Sequence, residues 1–518
     1  MLAAEITPMS PATSQTKPKN VLLILLDDYG WKDAACYGSS FYETPHIDAL
    51  ASQGMRFTNA YASCPVCSPT RASMLTGKYP ARLGVTNWIS HQPGVHPNTG
   101  KLVDAPYVKQ LDTNEYSLAR CLKDNGYQTW HVGKWHLGLD THWPDKHGFD
   151  VNIGGADNGS PPKGYFSPYG LKTLADGPEG EYLTDRLTDE AIGLIENASK
   201  DANKGVSGGA LDDRPFFLNY WPYAVHTPIQ AKEKDIAYFE KKAKRLKLDQ
   251  VNPIVTGEHF PVDHKKHLHV ERRIIQSNPV YAAMIKNMDE NLGRLFACLK
   301  EQGKLDDTLI IFTSDNGGLA TAETSPTCNA PLAEGKGWMY EGGTREPLIM
   351  SLPGVIQKGS VCDDITTTPD IYPTILQTLG LPMQPSQHCD GVSLYPLFKG
   401  KDNQSSADNA DNVDSTGSTE DSSAQAAFER GPIFWHYPHY GNQGGTPGCS
   451  VRLGDYKLIE FFQDSKLELY NLAADISETK NLADELPKVR DDLHAQLVKW
   501  RTSIEAKIPL PNPDYESV

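Results

Sequence analysis

The stretch that most constrains this chain is Val21-Leu22-Leu23-Ile24-Leu25-Leu26, an unbroken apolar run that stops abruptly at Asp27-Asp28. A strand with one wet face alternates apolar and polar side chains. A continuous apolar run needs cover on both faces, the condition of a strand in a parallel sheet between two layers of helices. Leu309-Ile310-Ile311-Phe312-Thr313-Ser314 repeats the design and ends in Asp315-Asn316. Pro215 to Tyr220 and Tyr127 to Val132 read as further core strands, the second preceded by a helix from Tyr116 to Asn125 closed by Gly126. Such a chain is α/β, and α/β sheets bind ligands at the carboxyl ends of their strands. Asp27 and Asp28 repel each other there unless a cation neutralises them. A hard divalent metal with oxygen ligands accounts for the pair, and on these residues alone a solvated Asp-Asp turn accounts for it equally well.

Cys67-Ser68-Pro69-Thr70-Arg71-Ala72-Ser73-Met74-Leu75-Thr76-Gly77 reads as a short helix. Pro69 suits its first turn and Gly77 its exit. Cys67 then sits at the helix mouth, where backbone N–H groups favour an anion, with Arg71 one turn along on the same face. A buried cysteine before a helix is otherwise ordinary packing. In Gly133-Lys134-Trp135-His136-Leu137-Gly138, Lys134 and His136 share one side of an extended segment and offer a fixed charge and a proton carrier. His226 follows another strand in His226-Thr227-Pro228, and Lys336 lies between Gly335 and Gly337, where a lysine can approach an anion closely. The loop from Trp88 to Lys101, with Trp88, His91 and His96, could wall a substrate pocket. Asn152 to Asp185 is expected to loop over the site. Lys232 to Arg273 reads as a solvated helical insertion. Trp435-His436-Tyr437-Pro438-His439-Tyr440 either reaches a sugar ring or seals two domains together.

Cys67-x-Pro69-x-Arg71 followed by Leu75-Thr76-Gly77 resembles the type I sulfatase signature, in which the cysteine is oxidised to formylglycine. Gly133 to Gly138 resembles the second sulfatase signature. Asp27-Asp28, Ala224 to Pro228, Asp315 to Gly318 and Gly335 to Gly337 with Tyr340 to Pro347 resemble further blocks of the family in the same order. The resemblance implies an alkaline phosphatase-like fold, a large mixed sheet sandwiched by helices with a smaller C-terminal domain of antiparallel sheet plus helix. The expected division is a flexible leader over 1–19, a catalytic α/β domain over 20–400, a low-complexity loop over 401–428 and the small α+β domain over 429–518.

Carried over residue by residue, the resemblance places one divalent cation, Ca2+ before Mg2+, on Asp27, Asp28, Asp315, Asn316 and a hydroxyl of the modified Cys67. It implies that the hydrated formylglycine attacks sulfur while His226 or Lys336 assists the departing alcohol. His136 then takes a proton so that sulfate is expelled, and Arg71 and Lys134 neutralise the developing oxyanions. Trp88, His91, Arg345, His436 and His439 are the expected substrate contacts. The partner implied in maturation is a formylglycine-generating or anaerobic sulfatase-maturating enzyme.

The blocks Pro80 to Gly84, Asn152 to Gly155 and Trp435 to Tyr440 look most like those of bacterial exo-acting glycan sulfatases. That likeness points to galactose or N-acetylgalactosamine sulfate and to the periplasm or secretion. The first twenty residues lack the apolar heart of a signal peptide. No apolar run reaches membrane-spanning length, and the transmembrane hairpin of steroid sulfatases is missing. Two other readings stay open, a phosphonate or phosphate monoester hydrolase of the same superfamily and a non-enzymatic glycan-binding relative. The formal charge of −16 argues against a nucleic-acid partner and requires a local cluster of cations or a metal for an anionic substrate. The nine cysteines lack the spacing of a disulfide framework. Asn197-Ala198-Ser199 and Asn403-Gln404-Ser405 are glycosylation sequons relevant only in a eukaryotic secretory host.

Overall fold

The computed structural model describes residues 20–91, 99–203, 214–399 and 428–515, with the side chains of 199–203 left aside. The expected leader, His96, the 401–427 part of the low-complexity loop and the Asn403 sequon lie outside the described residues. Asn197 falls within the helix Leu183–Asn203.

A nine-stranded sheet organises the main body. Its spatial order is Ser360–Cys362, Met55–Tyr61, Arg345–Ser351, Thr308–Ser314, Asn20–Leu26, Phe216–Trp221, Gln128–Gly133 and Val151–Ile153, and Thr366–Thr367 also pairs with Met55–Tyr61. Asn20–Leu26 is parallel to both neighbours, in register Ile24 to Tyr220 and Ile24 to Phe312. Arg345–Ser351 runs antiparallel to both of its own, which makes the sheet mixed. The apolar run has the expected cause. Leu22, Ile24 and Leu26 enter one core, against the helices Pro45–Gln53, Leu183–Asn203, Glu233–Arg245 and Pro279–Glu301. Val21, Leu23 and Leu25 enter another, against Cys67–Thr76, Leu118–Asp124 and Ile371–Leu379. Every residue of this strand is buried, so the sequence has no period to display.

The smaller unit is a four-stranded antiparallel sheet in the order Ile433–Tyr437, Gly448–Leu453, Tyr456–Phe461 and Leu467–Asn471, packed on the helix Pro487–Ser503. No helix among the described residues is long and apolar enough to cross a membrane.

The Lys232 to Arg273 stretch is α-helical only over Glu233–Arg245, with single 3-10 turns at Leu248–Gln250 and Asp263–Lys265. Its second half is an antiparallel hairpin, Ile254–His259 with His269–Arg273. The reason is tertiary. Phe260, Val262 and Val270 pack into a small cluster with Leu102, Trp338 and Tyr440, so their spacing answers a neighbouring surface and not a helical face.

Candidate active site

The strand ends converge as the topology requires. Asp27 and Asp28 follow Leu26, Asp315 and Asn316 follow Ser314, and Lys134 and His136 follow Gly133. Gly133 takes φ +114 and lies so close to Trp221 that a Cβ would meet its carbonyl oxygen at 2.0 Å, so only glycine lets the chain turn from strand to Lys134. Asp28 and His136 hold φ of +59 and +60, a region that non-glycine residues occupy when the surroundings fix them.

Cys67 is the first residue of the helix Cys67–Thr76, which Gly77 leaves in the left-handed conformation with φ +66. His136 Nδ1 lies 3.3 Å from Cys67 Sγ, and His136 Nε2 donates to the carbonyl of Ile89 at 2.6 Å. The donor role fixes the tautomer, leaving Nδ1 as the acceptor. Burial first, then the Lys134 charge, hold the imidazole pKa well below its usual value. Burial also raises the Cys67 thiol against the pull of Lys134 and Lys336, so the unmodified side chain stays a protonated, poorly nucleophilic thiol. A Cβ on Gly159 would lie 2.8 Å from His136 Cε1, which makes that glycine the back wall of the imidazole.

Three cation-to-carboxylate pairs and a neutral histidine surround these two side chains. Arg71 donates through Nε to Asp315 Oδ2 at 2.9 Å and also reaches it through a terminal nitrogen at 2.7 Å. Lys134 Nζ lies 2.6 Å from Asp27 Oδ2. Lys336 Nζ bridges both Asp28 oxygens at 2.8 and 2.9 Å. His226 Nε2 lies 3.1 Å from Lys336 Nζ and 3.7 Å from Asp28 Oδ2. Its Nδ1 faces the Thr227 carbonyl at 2.8 Å and must donate there, so Nε2 accepts from lysine. Burial first, then the adjacent Lys336 charge, push His226 down to about 3.

The acidic cluster is short of positive charge at one corner. Asp27 Oδ1 and Asn316 Oδ1 are buried without hydrogen-bond partners. Burial, with Asp315 beside it, raises Asp27 to about 8 despite Lys134 and Arg71. Burial would raise Asp28 too, but Lys336, His226 and the Asn316 amide hold it well below the usual carboxylate range. Donor atoms of Asp27, Asp28 and His226 lie within 4.8 Å of one another. Two orphaned oxygens beside a carboxylate that burial disfavours as an anion form a donor set that fits a hard divalent cation.

Above these groups opens a cavity of about 340 Å3, lined by Cys67, His136, His226 and Lys336 together with Trp88 and His91. Sulfatase is the family whose sequence model matches residues 19–381. The chain belongs to the sulfatase family. This sulfatase is 30% identical to a sulfatase of Formosa agariphila over 97% of this chain and 95% of that one. It is 29% identical to N-acetylgalactosamine-6-sulfatase of Homo sapiens, over 75% and 68% of the two chains. Among solved structures, Ps i-CgsB in complex with k-i-k-neocarrahexaose superposes with a TM-score of 0.68 at 25% identity, covering 96% of this chain and 95% of that one. The enzyme is therefore a sulfuric ester hydrolase with an alkaline phosphatase-like fold.

The structure separates the expected site residues of this sulfatase into groups. Cys67, His136, His226, Lys336, Trp88 and His91 share the cavity. Arg71 and Lys134 do not line it. Both are fully buried and spend their charge on Asp315 and Asp27. Asp315 itself turns one oxygen to Arg71 and the other to the Asp28 N–H, at 3.2 Å. Three expected substrate contacts lie elsewhere. Arg345 binds the Thr58 carbonyl, Asn59 and Glu341 beneath the C-terminal sheet. His436 bonds to the Lys507 carbonyl. His439 is buried between Asp104 and Thr86, at 2.5 and 2.8 Å. Arg345 and His439 have their polar atoms committed within the protein, and His436 is buried with only Nε2 bonded, so none of the three lines the cavity. Asp157, Asn158, Glu323, Asn442 and Gln443 line the cavity and were not singled out from the sequence. The only signal for the first two was the expectation that Asn152 to Asp185 covers the site.

Proposed function

We propose that this sulfatase removes sulfate from a sulfated carbohydrate, acting from a chain end on galactose or N-acetylgalactosamine sulfate, through Cys67 converted to formylglycine and one divalent cation. The observation that carries the reading is the convergence of Cys67, His136, His226 and Lys336 on one cavity, beside two buried oxygens without partners. The likeness to an N-acetylgalactosamine-6-sulfatase and to a carrageenan-oligosaccharide complex supports the sugar class.

Asp27, Asp28 and Asn316 would hold the cation, with Asp315 joining if its carboxylate turns from Arg71. A bound Ca2+ or Mg2+ supplies charge that polarises the sulfate ester and lowers the pKa of an oxygen beside it. Oxidation of Cys67 supplies an aldehyde hydrate in place of the inert thiol. His136, neutral and with Nδ1 as acceptor, takes a proton from the group at position 67. Lys336 keeps its own proton. Burial works against the ammonium, but the Asp28 charge raises its pKa, and the neutral His226 accepts from it. Lysine is thus the proton donor aimed at the departing alcohol, with His226 orienting it. Arg71 and Lys134 fix Asp315 and Asp27 and offset their charge. Residence in the periplasm or outside the cell, and maturation by a formylglycine-generating or anaerobic sulfatase-maturating enzyme, complete the proposal.

The experiment is sulfate release, read by ion chromatography, from a panel of monosulfated sugars with matched phosphate and phosphonate esters, using matured protein with and without chelator. Release from one sulfated regioisomer, lost with chelator, is expected. Preferential turnover of the phosphorus esters would overturn the sulfate assignment.

A further inference from the structure

A second cavity, of about 540 Å3, adjoins the first. It is walled by the hairpin Ile254–His259 with His269–Arg273 and by the turn Ala322 to Ser325. Two links join the cavities. Glu323 lines both. Asn442, on the wall of the first, accepts through its carbonyl a hydrogen bond at 3.2 Å from Lys265 Nζ, on the wall of the second.

The shared wall is held under strain. Ala322, Glu323, Thr324 and Ser325 take φ of 53, 43, 74 and 40 in succession, a run that no residue type there favours. The hairpin bolts it in place. The Ala322 N–H and Ser325 Oγ donate to the Glu271 carbonyl at 3.0 and 3.1 Å, and Arg273 Nε donates to the Ser325 carbonyl at 2.5 Å. Gln443 Nε2 donates to Glu323 Oε1 at 3.1 Å. A strained turn fixed from two sides, with a carboxylate at its tip between two cavities, is a wall built to face a ligand.

The chemistry of the two rooms differs. The first ends in Cys67 and Lys336, where a sulfate group belongs on the proposed function. A carboxylate repels that sulfate but accepts hydrogen bonds from sugar hydroxyls. The second cavity offers the ring of Phe260 with Lys265 5.3 Å above it, and the imidazoles of His267 and His269. The same wall carries the Glu271 and Glu323 carboxylates, so an aromatic ring stands beside both hydrogen-bond donors and acceptors, a set that suits the hydroxyls and the apolar face of a sugar ring.

We propose that the second cavity is the binding site for the sugar linked to the one that loses its sulfate, and that Glu323 reads the hydroxyls at the junction. This rests on the proposed function and makes the preferred substrate a sulfated oligosaccharide, with a single sulfated sugar as the poorer one.

The test compares galactose sulfate and N-acetylgalactosamine sulfate with carrageenan and chondroitin tetrasaccharides that end in the same sulfated residue. The wild-type kcat/KM is expected to be about tenfold higher for the tetrasaccharide, mostly through KM. In His267→Ala, whose side chain is exposed, and separately in Lys265→Ala, the ratio of tetrasaccharide to monosaccharide kcat/KM should fall toward one. Equal kcat/KM for both lengths in the wild type, or a ratio that both variants leave intact, overturns the second site while the sulfatase reading stands. Absence of sulfate release at either length overturns the proposed function and this site with it.

Discussion

His136 Nδ1 faces Cys67 Sγ at 3.3 Å while its Nε2 is tied at 2.6 Å to the carbonyl of Ile89. The imidazole is therefore presented to position 67 as a proton acceptor, and the thiol it faces is held protonated by burial. A base aimed at a group that cannot readily ionise has a use once that group carries hydroxyls.

Cys67→Ser tests this directly. Made without a maturating enzyme, the serine variant keeps a single hydroxyl next to His136 and has no gem-diol, which alone can release bound sulfate by elimination. The variant should fold as the wild type does and lose steady-state turnover, by at least about a thousandfold in kcat. Sustained multiple turnovers of a sugar sulfate by purified Cys67→Ser would refute the role given to the modification.

Lys336→Ala separates proton donation from general electrostatics. Lys336 bridges both oxygens of Asp28 and meets His226 at 3.1 Å, so its removal costs charge at the site for any substrate. A donor to the leaving oxygen matters most when that oxygen is strongly basic. The loss in kcat should be about 100-fold or more for a sugar sulfate and clearly smaller for a nitrophenyl sulfate, whose leaving group needs no proton. Equal losses for the two would assign Lys336 to charge alone.

The fold was legible wherever one physical demand dominated a local stretch. Val21 to Leu26 is apolar throughout because both faces are buried, and Gly77 ends its helix because only a left-handed residue fits there. The approach of Cys67, His136, His226 and Lys336 to one cavity was legible because each stands next to a strand end or in a fixed short block. Glu323 was not, since nothing local marks a carboxylate whose turn is shaped by Glu271 and Arg273 on a distant hairpin. Arg345 and His439 misled for the converse reason. A cation or histidine in a suitable block looks free in sequence, and only the tertiary structure supplies Glu341 or Asp104 to occupy it.

His439 consequently has a different expected phenotype from a substrate contact. It holds Thr86 Oγ1 at 2.8 Å, and Tyr437 donates to Asn87 Oδ1 at 3.2 Å, so the C-terminal unit braces the loop that carries Trp88, Ile89 and His91. Because the Ile89 carbonyl orients His136, His439→Ala should lower kcat as well as raise KM, with kcat/KM down about 10- to 100-fold. His91→Ala, at the exposed rim of the cavity, should act mainly on KM. Steady-state kinetics on both variants checks the distinction. A pure KM effect in His439→Ala would return that residue to substrate binding.

Acid stability should follow from His131, which is fully buried as the neutral form. Its Nδ1 accepts from Asn219 Nδ2 at 2.9 Å, and its Nε2 donates to the Gly133 carbonyl at 3.1 Å, so both nitrogens are satisfied without a charge. Burial, outweighing the Gly133 contact, lowers its pKa to about 3. The unfolded chain binds a proton at His131 below about pH 6.5, and the native chain does so only near 3. Between these values the unfolded state holds more protons, so stability rises with pH. The contribution of this neutral histidine is complete above about pH 6.5 and is lost progressively as pH falls toward 3. Urea midpoints measured from pH 8 to pH 4 should hold steady at first and then decline. His131→Gln keeps one donor and one acceptor but does not titrate, so its midpoint should start lower than the wild type's and decline less steeply. Parallel declines in the two proteins would show that His131 does not govern acid stability.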